Sequence, residues 1–168
     1  VTAIDDSLVI EAAHDSAVRR VQYAYADVVN RRAFSELTQL FRPDAPVVLD
    51  LRTGEPLRLV GGTEVGEFIA GAVERFEFFE FVVLNAHIVF PGGPAAGEAR
   101  SRLFMCELRQ EAASGRWTTV YGLYHDRYAF EDGRWWIAER RYHSLARDGR
   151  DRDAFPFPSA PGIDIPGL

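Results

Sequence analysis

The chain contains no lysine. All 19 of its basic side chains are arginine, which excludes Schiff-base chemistry, an amine anchoring a cofactor and the lysine of a phosphate-binding P-loop. Cysteine is nearly absent: Cys106 stands alone, so no intramolecular disulfide or cysteine metal cluster can form, and a reducing compartment is compatible. The four histidines, His14, His87, His125 and His143, include no pair at helical or strand spacing, and there is no Gly-x-Ser-x-Gly nucleophile signature. Neither a metal nor a cofactor is expected. No apolar run approaches the roughly eighteen residues of a membrane span. Residues 1–10 carry Asp5 and Asp6 and lack the basic and apolar regions of a signal peptide, so a cytoplasmic location is the expectation. An excess of positive charge is missing as well. Twenty-five acidic residues against 19 basic ones give a net charge of −6, which repels nucleic-acid phosphates and anionic membrane surfaces.

What is present is ample apolar material. A chain of 168 residues that is 47% hydrophobic and 26% charged has the composition of one globular domain, expected over residues 1–147, with a Pro- and Gly-rich tail over 148–168. Val18, Val21, Tyr25, Val28 and Val29 recur at three-and-four spacing and predict a helix over Ser16–Asn30. Phe34, Leu37, Leu40 and Phe41 predict a short second helix ending before Pro43, and Val65, Phe68, Ile69, Ala72 and Phe76 a third over Glu64–Phe76, with Thr63 as its cap. Between them, Pro46–Leu51 and Pro56–Val60 read as a small hairpin. Four long β-rich runs follow: Glu80–Phe90, Ala95–Glu111, Trp117–Phe130 and Trp135–Leu145. The segments Pro91-Gly92-Gly93-Pro94, Ala113-Ser114-Gly115-Arg116 and Glu131-Asp132-Gly133-Arg134 reverse the chain between them, so an antiparallel meander is expected. Helices followed by a strongly curved sheet make an α+β plan, a cone with an open mouth suited to an apolar pocket.

Three segments carry a resemblance: Tyr23-Ala24-Tyr25-Ala26-Asp27 running into Arg32–Leu37, Tyr121–Asp126, and Asp132–Arg140. Together with the order of elements they resemble the cystatin-like α+β barrel superfamily of nuclear transport factor 2, ketosteroid isomerase and scytalone dehydratase, and within it the SnoaL-like and scytalone dehydratase branch. The resemblance covers roughly Ala12–Leu145. It implies the cone fold, while one cone hosts dehydratases, isomerases, cyclases and plain binding subunits. In the dehydratase-like branch an aspartate at the end of the first helix pairs with a strand histidine. Its position matches Asn30 here, and the two family histidine positions match Phe81 and Met105, none of which can transfer a proton. The resemblance also implies association through the outer sheet face, as a homo-dimer or homo-trimer.

The remaining polar candidates come from strand alternation, because residues two apart share a face. Phe81, Asn85 and His87 fall on one face of the first long strand. With Phe81 matched to an inward position, His87 becomes the expected proton-transfer group, its alternative being a histidine bonded at the sheet surface. On the third long strand Gly122, Tyr124 and Asp126 share a face, and the resemblance matches Gly122 and Tyr124 to the family's polar pocket positions. Tyr124 is expected to donate to a developing oxyanion, and Asp126 either to serve as base or to pair with Arg140 on the adjacent strand. His87, Tyr124 and Asp126 are thus the catalytic candidates. Tyr25, Asn30, Phe81, Asn85, Met105 and Arg140 are the substrate-binding candidates. The phenylalanines Phe76, Phe78, Phe79, Phe81, Phe90 and Phe104 supply a pocket lining or a subunit interface. The functional expectation is cofactor-free acid-base isomerisation, cyclisation or dehydration of a hydrophobic polyketide-, terpenoid- or steroid-like compound. The alternatives are a ligand-binding or assembly module without catalysis, or a subunit resembling the β subunit of aromatic-ring dioxygenases. Phe155-Pro156-Phe157-Pro158 is expected to close the cone mouth or to dock on a neighbouring subunit.

Overall fold

The computed structural model describes residues 5–148, 153, 154, 157–159, 161–163 and 165. Helix α1 spans Asp6–Asn30, ten residues longer at its start than its apolar stripe predicts, because the Asp5 side chain accepts from the Ser7 amide and caps it there. Its inward face buries Val18, Tyr25, Val28 and Val29 together with one polar residue, Gln22. The second helical segment is a 3₁₀ helix, Phe34–Gln39, with Leu37 and Phe41 fully buried. Strands β1 (Pro46–Asp50) and β2 (Leu57–Val60) form the hairpin, and helix α2 spans Gly61–Val73. That helix starts and ends three residues earlier than its spacing implies. It begins on glycine because a Cβ at Gly62 would stand 2.4 Å from the Leu37 carbonyl oxygen, so only a bare backbone lets α2 pack against the 3₁₀ helix. Glu64, not Thr63, serves its start, accepting from the Val60 amide at 2.8 Å.

Strands β3 (Phe76–Val89), β4 (Glu98–Glu111), β5 (Trp117–Glu131) and β6 (Arg134–Arg147) form the antiparallel meander, and β7 (Asp153–Ala154) pairs with β6. The strand order is β2-β1-β6-β5-β4-β3, with β1 running parallel to β6. Helix α1 lies against the concave face of this sheet, packing on β3 and β6. The curvature has local causes: β3 carries register shifts at Glu77 and Leu84, and β6 carries an extra residue at Ala138 and at Leu145. Each such bulge bends the strand and exchanges the faces of all residues beyond it. The inward set on β6 therefore runs Trp135, Ile137, then Arg140, Tyr142, Ser144, and ends at Arg147. No helix among the described residues is long and apolar enough to cross a membrane.

Candidate functional site

A cavity of about 280 Å³ opens between the concave sheet face and helix α2. Its apolar wall comes from Val29 on α1, Val47 and Leu49 on β1, and Val65, Phe68 and Ile69 on α2. Phe76, Phe79 and Phe81 of β3 close another side. Polar groups enter from Tyr25 and from the sheet: Glu107 and Arg109 on β4, Tyr124 on β5, and Arg140, Tyr142 and Arg147 on β6, with Arg75 and Thr53 completing the lining. Gly122 makes room for Tyr142, since a Cβ there would stand 2.3 Å from a Tyr142 ring carbon and 2.8 Å from the Met105 sulfur.

Beneath the cavity sits a buried ion pair. Asp126 and Arg140 face each other in register across β5 and β6, and the guanidinium donates from Nε and Nη2 to the two carboxylate oxygens at 2.8 and 2.7 Å. The Tyr128 hydroxyl also donates to Asp126, at 2.8 Å, and Gln22 donates to Tyr128 and to Ser101, both at 3.1 Å. Both ionic side chains are essentially fully buried. The bidentate geometry and the extra donor from Tyr128 offset the desolvation of the two charges. On its other side the Arg140 guanidinium lies 4.2 Å from the ring centres of both Tyr25 and Tyr124, a cation against two π faces. Burial raises the pKa of both phenols, and the Arg140 charge opposes the rise.

The sequence candidates separate into those at the cavity and those away from it. Tyr25, Phe81, Tyr124 and Arg140 line it. Met105 is fully buried in the core under Gly122. Asp126 lies behind Arg140, off the cavity wall, in the cross-strand pair that was the alternative to a base. Asn30 is also away from the cavity: its amide accepts from the Phe81 N–H at 2.6 Å and donates to the Phe81 carbonyl at 2.9 Å. Because β3 is the last strand of the sheet, Asn30 takes the place of a neighbouring strand there.

The expectation for His87 and Asn85 needs correction. Phe81 and Val83 face inward, but the register shift at Leu84 passes the inward face to Ala86, Ile88 and Phe90, which pack against the core. His87 is thereby turned to the outer face opposite Arg102, and Asn85 is exposed opposite Phe104. Neither touches the cavity. The tail residue Phe157 contacts Phe104 and His125, which lie on that same outer face; Phe155 and Pro156 lie outside the described residues.

Sequence reasoning missed Glu107. It is the one carboxylate on the described cavity wall, placed between Phe81 of β3 and Val120 of β5. Burial pushes its pKa up, opposed by Arg109 and Arg147, and its charge acts in turn on Tyr25, Tyr124 and Tyr142. The signal was available, because two-residue steps from Met105 along β4 lead to Glu107 and then Arg109. The arrangement can transfer a proton and hold an oxygen-centred anion inside a largely apolar enclosure.

A SnoaL-like domain model matches residues 11–141. The crystal structure of a candidate scytalone dehydratase from Novosphingobium aromaticivorans is similar over 94% of this chain and 99% of its own, with 21% identity and a TM-score of 0.72. A hexachlorocyclohexane dehydrochlorinase, LinA-type3 from Novosphingobium barchaimii, is similar over 88% of this chain and 94% of its own, with 14% identity and a TM-score of 0.69. A protein with a cystatin-like fold from Caulobacter vibrioides is similar over 79% and 90%, with 12% identity and a TM-score of 0.62. No curated protein matches the chain. At these identities the solved structures establish a shared α+β cone of the nuclear transport factor 2-like, cystatin-like type. With the domain model spanning residues 11–141, the chain belongs to the SnoaL-like domain family.

Proposed function

We propose that this chain is a cofactor-free acid-base enzyme acting on a small hydrophobic compound that carries a carbonyl group. Isomerisation, cyclisation or elimination next to that carbonyl are the reaction classes. The observation that carries the reading is Glu107, the one carboxylate on the described wall of a largely apolar cavity that also presents three phenols. In the reaction the ionised Glu107 removes a proton from the carbon beside the carbonyl, and the electron pair moves onto the carbonyl oxygen. A hydrogen bond from the Tyr124 hydroxyl steadies the oxyanion. Return of the proton at another carbon completes an isomerisation; loss of a leaving group from the β carbon completes an elimination. A carboxylate whose pKa is raised by burial is the stronger base for the first step. The proton-transfer role expected of His87 and Asp126 falls instead to Glu107, because neither of those two lines the cavity.

The volume restricts the substrate. A cavity of roughly 150 Å³ holds benzene, so about 280 Å³ suits a one- or two-ring molecule at the small end of the polyketide- or terpenoid-like range. Exchange of the α-protons of 1-tetralone in deuterated buffer, followed by NMR, tests the chemistry without knowledge of the natural substrate. The wild-type protein is expected to accelerate exchange, Glu107→Gln to lose about 100-fold or more of that acceleration, and Tyr124→Phe about tenfold. Full exchange activity in Glu107→Gln rejects the mechanism.

One observation favours a second reading, a ligand-binding or assembly module of the kind the dioxygenase β subunits represent. The position of the family's aspartate is occupied by Asn30, whose amide is committed to the β3 backbone. Binding of 1-tetralone without accelerated exchange is the outcome that selects it. A homo-dimer or homo-trimer is part of either reading, supported by the exposed, mutually packed rings of Phe78 and Trp117 on the sheet.

A further inference from the structure

Resting on the reading of the cavity as the ligand site, we infer that the ligand joins its apolar body to an anionic group, a carboxylate or an ionised enol or phenol, received by Arg75, Arg109 and Arg147. The chain as a whole has a net charge of −6, yet its cavity wall carries four arginines and one glutamate. Asp126 neutralises Arg140 from behind. Three guanidinium groups then face Glu107 alone.

Several arginines outside the cavity are matched with carboxylates: Arg19 with Asp15, Arg31 with Asp27 and Glu36, Arg42 with Asp44 and Glu131, Arg141 with Glu139. Apart from Arg140, those of the cavity are matched less closely. Arg109 reaches Glu107 only at 3.5 Å, its side chain is 18% exposed, and its buried Nε has no hydrogen-bond partner. Arg147 gives its donors to neutral oxygens, the Ser144 hydroxyl at 3.3 Å and the Leu51 carbonyl. Arg75 and Arg109 both lie over the Phe76 ring, at 4.8 and 5.2 Å from its centre, which gathers two like charges at one end of the cavity. Glu111, beside Arg75, is already engaged by Ser114 and Arg116. Like charges held together in a partly dry site are unfavourable until an anion joins them, and a ligand anion there gains charge-assisted hydrogen bonds. Burial also favours the neutral form of Glu107, which lessens its compensation for Arg109.

Calorimetric titration of the full chain with 2-naphthoate and with its neutral counterpart 2-naphthamide tests the inference. The naphthoate is expected to bind about tenfold or more tightly than the amide, as charge-assisted hydrogen bonds imply, and its advantage to shrink in 0.5 M sodium chloride, a concentration of order that screens charges beyond a few ångströms. In Arg109→Gln, and separately in the solvent-exposed Arg75→Gln, the preference for naphthoate over the amide is expected to fall. Amide binding equal to or tighter than naphthoate binding in the wild type overturns the anionic ligand and leaves the cavity reading standing. Preference unchanged in both variants also overturns it, since the anion then sits elsewhere. Failure of both molecules to bind rejects the cavity as the ligand site, and the inference with it.

Discussion

Arg140 is a buried cation. Two carboxylate oxygens of Asp126 hold one side of it and two tyrosine rings the other, so its charge lies against two of the phenols that line the cavity. Removing the carboxylate charge leaves that cation uncompensated. Asp126→Asn is expected to lower the unfolding free energy by about 3–5 kcal/mol, measured by urea titration; a loss under about 1 kcal/mol, the range of exposed pairs, contradicts the buried assignment. Glu107 has the opposite character, a carboxylate that burial drives toward its neutral form. As a base it works only when ionised. The exchange rate of 1-tetralone is therefore expected to rise with pH through a midpoint above 4.5, the ordinary glutamate value, and a midpoint at or below it contradicts the placement. Asn30 illustrates a different use of a polar group: both halves of its amide serve the backbone of β3, so restoring an aspartate there would remove the donor and supply no base to the cavity.

At the scale of elements, bulges decide which side chains meet. Among the candidates that line the cavity, Tyr25 was legible from helical spacing and Arg140 as the cross-strand partner of Asp126, while Phe81 and Tyr124 needed the family resemblance to say which strand face turns inward. His87 was not, because a single extra residue at Leu84 reverses its face, and nothing in Val83-Leu84-Asn85 announces a bulge. Glu107 obeys simple alternation from Met105 along β4. The helices were legible from their apolar stripes, whereas the early start of α2 depends on a tertiary contact, the approach of Gly62 to Leu37, that local spacing cannot register. Close approach also governs β5. At Gly122 an added methyl would press on the Tyr142 ring, so Gly122→Ala is expected to cost about 1–3 kcal/mol as overpacking and to weaken naphthoate binding by crowding the cavity. Thermal melting and calorimetry check both; unchanged values contradict the Tyr142 placement.

For the whole molecule, the sheet separates two chemistries. Its concave side encloses the cavity, while its outer side carries His125 and His143, packed edge to face at 5.5 Å, with Phe157 against His125. Burial, followed by the neighbouring His143, lowers the pKa of His125 to about 4, and His143 is lowered as well. In the unfolded chain both histidines would bind protons near pH 6.5. Stability is therefore fully present above about 6.5 and is lost as pH falls toward 4, by an amount on the order of 3 kcal/mol for His125 alone. His125→Phe is expected to flatten that acid limb in urea titrations at pH 7 and pH 5, and an unchanged limb contradicts the assignment. The concave side carries the functional claim. Methyl-resolved NMR of the isotope-labelled protein titrated with 2-naphthoate tests that claim most directly. The expected result is saturable shifts of Val47, Leu49, Val65, Ile69 and Val120, which line the cavity, with Leu84 and Leu108 unmoved. Shifts at Leu84 and Leu108 without any at the cavity methyls would contradict it.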